Sequence, residues 1–203
     1  MGDVTHRLDE LLREVRACRL CAAELPLGPR PVLRAAPSAR ILVVGQAPGT
    51  AVHASGVPFD DPSGVRLRDW MGVDEDAFYD EERIAIVPMG FCYPGRGKSG
   101  DLPPKRRCAR TWREPLLAQL PDITLTLLFG QYALAWHLPE ARGLSLTETV
   151  RRHAAWGDHV LPMPHPSPRN NLWLARNPWF EAEVVPVLRR RVRAALAPTS
   201  SMR

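Results

Sequence analysis

Apolar residues near the start of the chain recur at helical spacing. They occupy positions 4, 8, 11, 12 and 15, so they share one face of a helix whose other face is polar. The pattern predicts an amphipathic helix over residues 4–17 that ends at Cys18. A proline-rich connector over residues 26–37 follows it.

Later apolar runs are continuous instead of periodic, which is typical of strands that are buried on both faces. Four such runs occupy residues 41–44, 84–87, 125–129 and 160–163. Amphipathic segments predict helices over residues 63–71, 105–119, 131–138, 145–153 and 178–196. Strands that alternate with helices predict an α/β fold, a three-layer α/β/α sandwich around a central, mainly parallel, four-stranded sheet.

The length of the chain, 203 residues, suits a single domain over residues 1–203. No run approaches the roughly 18 apolar residues that cross a bilayer, and the N-terminus has no charged-then-apolar leader. We therefore expect a cytoplasmic protein that works away from membranes, as a monomer.

The net charge is +5, from 27 lysine and arginine residues against 22 acidic ones. This excess favours a polyanionic partner such as nucleic acid. A solvated basic helix face, for example over residues 189–191, explains it equally well. Charge alone therefore does not identify DNA as the partner.

Each predicted strand is followed by a loop of unusual composition. The loops are GQAPG at 45–49, GFCYPG at 90–95, GQ at 130–131 and HPSPRN at 165–170. Because ligands of parallel sheets bind beyond the carboxyl ends of the strands, the candidate site lies where these loops converge.

Three segments resemble the signature motifs of uracil-DNA glycosylases. They are GQAPG, HPSPRN, and GVPF at 56–59 followed by Ser63 and Gly64. The resemblance covers about residues 18–195. It implies a DNA-repair glycosylase that flips uracil or another deaminated base out of DNA and hydrolyses its bond to deoxyribose.

The resemblance also assigns roles to residues of the base pocket. The base leaves as an anion, and His165 would donate a hydrogen bond to the base oxygen on which negative charge grows. Phe59 would stack on the flipped base. The remaining pocket residues would be Ala47, Pro48, Gly49 and Gly90.

The segment after His165 corresponds to the family's loop that enters the minor groove. The residues expected to contact DNA are Ser167, Arg169 and Asn170. A long side chain must fill the space that the flipped base leaves, and Arg169 or Leu172 could serve.

The first loop departs from the family pattern. Gln46 stands where the family has a carboxylate or an asparagine that positions the attacking water, and a neutral amide can only orient that water. Asp61 or its neighbour Asp60 could supply the carboxylate, although both also suit a turn before Pro62. We predict His165, Gln46 and Asp61 as the catalytic residues.

A second departure concerns base selection. Pro88 stands where the family-4 pattern has an asparagine that reads the uracil edge, and proline offers no side-chain hydrogen bond. Backbone groups of Met89 or Gly90 would then read the base. The excised base is therefore open among uracil, hypoxanthine and xanthine.

Four cysteines, Cys18, Cys21, Cys92 and Cys108, suggest a metal site, because cytosolic thiols seldom pair as disulfides. Four thiolates suit zinc or a [4Fe-4S] cluster, which the residues alone do not separate. The set resembles the ligands of the family-4 (thermophile-type) uracil-DNA glycosylases, which implies a structural [4Fe-4S] cluster.

Two other functions remain open. A DNA-binding protein that has kept the fold and lost hydrolysis fits the departures at Gln46 and Pro88. A nucleotide-binding α/β protein is the second, but the chain has no Gly-x-Gly-x-x-Gly or Walker loop. The sequence favours the glycosylase, which needs no external cofactor for its chemistry.

Overall fold

A computed structural model of the protein describes residues 2–98 and 100–198. The helices of that part are α1 (Gly2–Arg16), α2 (Thr50–Ser55), α3 (Pro62–Met71), α4 (Glu75–Tyr79), α5 (Arg106–Leu117), α6 (Gln131–His137), α7 (Leu146–Arg151), α8 (Asn171–Arg176) and α9 (Val185–Leu196). The strands are β1 (Ile41–Val44), β2 (Ile84–Ile86), β3 (Leu125–Phe129) and β4 (Val160–Met163). None of these helices is long and apolar enough to cross a membrane.

Within the described residues the strands form one four-stranded, entirely parallel sheet in the order β2-β1-β3-β4. Ile41 of β1 aligns with Ile84 of β2 on one side and with Leu125 of β3 on the other. β4 pairs on one side only, where an edge strand tolerates Pro162. The predicted parallel sheet is confirmed.

Alternate residues of β1 enter two separate cores. Leu42 and Val44 pack in one core with apolar residues of α1, α5 and α6. Ile41 and Val43 pack in the other with residues of α3, α7 and α9. Because helices cover both faces, the predicted α/β/α sandwich is also confirmed.

The predicted helices differ from the observed ones mainly at two kinds of place. The short helices α2, α4 and α8 are missing from the prediction, because five or six residues are too few to show a periodic pattern. The predicted helix over 178–196 contains a π-helical turn, Phe180–Val184, before α9. Pro186 lies in the next turn and has no N–H, which removes one α-helical hydrogen bond there.

A buried arginine joins α5 to the end of β2. Arg113 is 1% exposed, and its Nη1 donates to the carbonyl oxygens of Val87, at 3.2 Å, and Pro88, at 3.1 Å. Its Nε donates to Nε2 of His137 at 2.9 Å. Since a guanidinium only donates, His137 must accept through Nε2 and is neutral. Burial, and then the charge of Arg113, lowers the pKa of His137 to about 3.

This pair makes stability depend on pH. Between the ordinary pKa of 6.5 and the folded value of about 3, the unfolded chain binds more protons at His137, so stability falls as the pH is lowered. From pH 7 to pH 5 we expect a loss of up to about 2 kcal/mol from this residue. His137→Gln keeps an acceptor that does not titrate, and it should flatten the change in urea midpoint. If lowering the pH changed the urea midpoint equally in the wild type and in His137→Gln, the pH dependence would not come from His137.

Candidate active site

A cavity of about 500 Å³ opens at the edge of the sheet where the strands end. It is lined by the loops after β1, β2 and β4 and by the segment that leads into α3. Gly130 and Gln131, after β3, are not among its described lining residues. Three of the four loops expected at this edge therefore build the cavity.

The cavity brings together most of the residues predicted for the site. Those that line it are Gln46, Ala47, Pro48, Gly49, Phe59, Asp61, His165, Ser167, Arg169 and Asn170. Gly90 instead lines a second pocket, beside the cysteines. Its N–H donates to the carbonyl of Gln46 at 2.9 Å, and that of Met89 donates to Gly45 at 2.9 Å. Neither N–H is therefore available to read a base in this arrangement.

His165 follows β4 and is held as a neutral ring. The N–H of Ser167 donates to its Nδ1 at 3.2 Å, so Nδ1 is an acceptor and the ring proton is on Nε2. Burial lowers the pKa of His165, an effect that the charges of Asp61 and Asp101 oppose. His165 therefore presents Nε2–H as a neutral hydrogen-bond donor.

Two side chains hold the loop that carries His165. Asn170 donates through Nδ2 to the carbonyl of His165 at 2.7 Å. Arg66, from α3, donates through Nη1 to the carbonyls of Pro166, at 3.2 Å, and Ser167, at 3.4 Å. The loop is thus fixed both from within and from α3.

Phe59 lies beside His165 in an unusual backbone conformation. Its φ is +57°, in the left-handed region that side chains other than glycine rarely adopt. Its ring is 6.4 Å from the His165 ring between centroids and only 25° from parallel to it. The edges of Phe78 and Phe129 also contact it, with centroids 6.1 and 6.4 Å away. Backbone and neighbours together fix the ring in the cavity wall.

Close packing against the main chain explains why the motif has a glycine, Gly64, in the first turn of α3. A Cβ at this position would lie 1.8 Å from the carbonyl oxygen of Phe59, closer than any atoms can approach without bonding. The helix therefore packs directly against the main chain of Phe59, and only a residue without a side chain permits this.

Asp61 has a structural task as well as a place in the cavity. Its Oδ1 accepts from the N–H groups of Ser63, at 2.7 Å, and Gly64, at 3.2 Å, which caps the N-terminus of α3. Pro62 occupies the first turn, as is typical of helix starts. Asp60 is exposed and is not among the described lining residues.

Gln46 is bound to the loop after β2. Its Nε2 donates to the carbonyl of Leu102 at 3.0 Å. A carboxylate at this position could not make the bond, because it has no hydrogen to donate. The amide of Gln46, which departs from the family pattern, therefore anchors this loop.

Sequence reasoning missed polar residues of the cavity, among them Tyr93, Arg96 and Asp101 in the loop after β2. Arg96 and Asp101 belong to a glycine-rich run, GRGKSGD over residues 95–101, which was a signal that this loop turns sharply beyond a strand.

The four cysteines line one pocket at the end of α1, and all are free and partly buried. Burial raises the pKa of Cys108 to about 12 and also raises the pKa of Cys21 and Cys92. In the described part of the chain, no three His, Cys, Asp or Glu side chains are arranged so that they could hold a metal ion.

The fold and the cavity define a class, the parallel α/β/α proteins that bind a ligand beyond the carboxyl edge of the sheet. Residues 34–189 match the family model of the uracil DNA glycosylase superfamily. This stretch contains all four described strands and the cavity loops. The chain belongs to the uracil DNA glycosylase superfamily.

The contact between α3 and Phe59 predicts the effect of Gly64→Ala. The added methyl would meet a main-chain oxygen that cannot rotate away, so we expect a loss of about 3 kcal/mol or more in the free energy of unfolding. Gly143→Ala is the control: its added Cβ meets nothing within 4 Å, and its φ of +90° should cost only about 1 kcal/mol. Urea unfolding compares the two, and equal losses would contradict the steric explanation.

Proposed function

We propose that the protein removes a deaminated base, in the first instance uracil, from DNA by hydrolysing the N-glycosidic bond, as a step of base excision repair. The observation that carries this proposal is the neutral His165 donor beside the ring of Phe59, in one cavity of a glycosylase-superfamily member.

The chemistry follows from the charges of the reaction. As the bond breaks, the sugar becomes cation-like and the base departs as an anion. The Nε2–H of His165 would bond the base oxygen that gains charge, and this bond strengthens as the transition state forms. Phe59 would stack on the base and keep that oxygen within reach of His165.

The rim of the cavity suits a duplex from which one nucleotide has been flipped. Arg169 lines the cavity and is exposed, which allows it to contact phosphates. Leu172, just beyond, is 61% exposed, which is unusual for a large apolar side chain. We propose that Leu172 or Arg169 fills the space that the base leaves, while Ser167 and Asn170 keep the loop in place.

The structure bears on which deaminated base would be excised. Pro88 lines the cavity, and the N–H groups of Met89 and Gly90 are bonded to the first loop. Uracil, hypoxanthine and xanthine all carry a carbonyl oxygen that His165 could bond. Oligonucleotides that carry each base, treated with the protein and then with alkali, would show which base is removed.

A second candidate is a DNA-binding protein that recognises damage without hydrolysis. It is favoured by the amide of Gln46, which is bonded to Leu102, and by the capping role of Asp61. If the protein binds duplexes that carry a deaminated base, and alkali then produces no strand scission, the DNA-binding function is selected and the glycosylase is excluded.

The proposed role of His165 predicts a specific effect of His165→Ala. The excision rate in single turnover should fall by about a hundred- to a thousandfold, because one transition-state donor is lost. Affinity for a duplex with an abasic site should change little, since the bond matters only as charge develops. His159→Ala, an exposed histidine just before the amino end of β4, is the control. Full activity of His165→Ala, or equal losses of rate and binding, would contradict the role.

We further propose that the cysteines hold a [4Fe-4S] cluster, as in the family-4 enzymes that the sequence resembles. Such a cluster binds each thiolate at a different iron, so its ligands stand farther apart than those of a single metal ion, and four thiols around one pocket suit it. Backbone N–H groups of Arg30 and Phe91 bond Cys92 and Cys108, and such bonds stabilise thiolate ligands. The bound cluster would supply cross-linking, joining the end of α1 to the loop after β2.

Anaerobically purified protein should be brown, with broad absorbance at about 400 nm from thiolate-to-iron charge transfer. Cys108→Ser should lose the colour and the iron, while Leu27→Ala, an exposed residue that is not among the described lining residues of the cysteine pocket, should keep both. Metal analysis checks this directly. Colourless protein with one zinc per chain would replace the cluster with zinc, and freshly purified protein with neither metal would overturn the ligand role.

A further inference from the structure

One carboxylate of the cavity has no chemical role assigned to it so far. Asp101 lines the same cavity as His165 and Phe59. Its Oδ2 lies 3.8 Å from the position that a Cβ on Gly49 would take. The carboxylate thus ends beside the GQAPG loop, in which the family pattern has a water-positioning residue and this chain has an amide.

Asp101 differs from Asp61 in what its carboxylate does. Asp61 uses Oδ1 to cap α3 through two backbone N–H groups. Among the described residues, no hydrogen bond or ion pair engages the carboxylate of Asp101, which is exposed to the solvent of the cavity. Both oxygens of Asp101 are therefore available to a water molecule.

The loop that carries Asp101 is held in place. Two backbone bonds close it, from the N–H of Gly97 to the oxygen of Gly100 at 2.6 Å and from the N–H of Leu102 to the oxygen of Gly95 at 2.8 Å. The amide of Gln46 adds a third bond, to the carbonyl of Leu102. Gln46 stands where the family has a carboxylate or an asparagine, and it therefore anchors the loop that brings Asp101 to the cavity.

Arginine side chains line the cavity together with Asp101. Arg96 is one of them, and Arg169 Nη1 lies 3.1 Å from the position that a Cβ on Gly100 would take. His165 is near enough for the charge of Asp101 to act on its ring.

We propose that Asp101 is the catalytic carboxylate that activates the attacking water, with Gln46 as the positioning residue that holds its loop. This inference rests on the proposed glycosylase function and names the residue that completes it.

The bond from C1′ to the base nitrogen breaks, and its electron pair leaves with the base, whose oxygen His165 bonds. Water oxygen forms the new bond to C1′ and gives its proton to Asp101, which passes it to solvent. The base anion takes a proton from solvent, so the products are the free base and an abasic deoxyribose. The negative charge of Asp101 also stabilises the cation-like sugar while the bond breaks.

Asp101→Asn tests the proposal, because it keeps the shape of the side chain and removes the base. On the substrate that the wild type cleaves, we expect the single-turnover rate to fall by about 10²- to 10⁴-fold, the usual contribution of a general base. Affinity for an abasic-site duplex should stay within about threefold, because the carboxylate acts on water rather than on DNA. Asp101→Ala should regain part of its rate in formate, but not in chloride of equal ionic strength, because formate can replace the missing carboxylate.

Asp61→Asn tests the rival carboxylate, because it keeps a capping residue and removes the charge. A loss of rate with Asp61→Asn as large as that with Asp101→Asn would contradict the assignment of the base to Asp101. Asp122→Asn changes an exposed carboxylate before β3, at the opposite edge of the sheet, and should behave as the wild type. An active wild type with an Asp101→Asn rate within threefold, or an Asp101→Ala rate that formate does not raise, would overturn the inference alone. A wild type that removes no base would overturn the proposed function and this inference with it.

Discussion

The direct packing of α3 against the main chain of Phe59 is the contact on which the cavity depends. Because Gly64 lacks a side chain, the first turn of the helix reaches the carbonyl of Phe59, whose backbone is held in the left-handed region. The same helix is capped by Asp61 and sends Arg66 to the loop that carries His165. One helix therefore positions the aromatic ring and the histidine relative to each other, although more than a hundred residues separate them in the chain.

Protonation in the interior is controlled by burial rather than by ion pairs. His165 and His137 are both held neutral, and in each case the hydrogen-bond partners determine which ring nitrogen accepts. In the proposed reaction the neutral form of His165 would be an advantage, because a donor that carries no charge does not repel the cation-like sugar of the transition state. At His137 the neutral form has a structural purpose, because the ring accepts from Arg113, which holds the end of β2 and Pro88.

Local patterns in the sequence were enough to predict the sheet and the loops that meet at its edge, because buried strands are continuous apolar runs and the loops follow them directly. They also predicted that His165 and Phe59 lie in one pocket, and both residues line the cavity. They did not give Asp101, because its place depends on a turn closed by backbone bonds and on the amide of Gln46, 55 positions earlier in the chain. Nor did they show that the N–H of Gly90 donates to the carbonyl of Gln46 in the first loop. That bond joins the segments after two strands, which only the folded sheet brings together.

In the proposed glycosylase, base selection would have to come from something other than the histidine. A single donor to a carbonyl oxygen bonds any deaminated base, so His165 would contribute to the rate more than to discrimination. The N–H groups of Met89 and Gly90 are bonded within the protein, and Pro88 offers no donor. Discrimination would then depend on the shape of the cavity and on polar groups such as Tyr93 and Arg96, in the loop that Gln46 anchors. Because the same loop carries Asp101, the amide of Gln46 would affect both the proposed base and the groups that select the substrate.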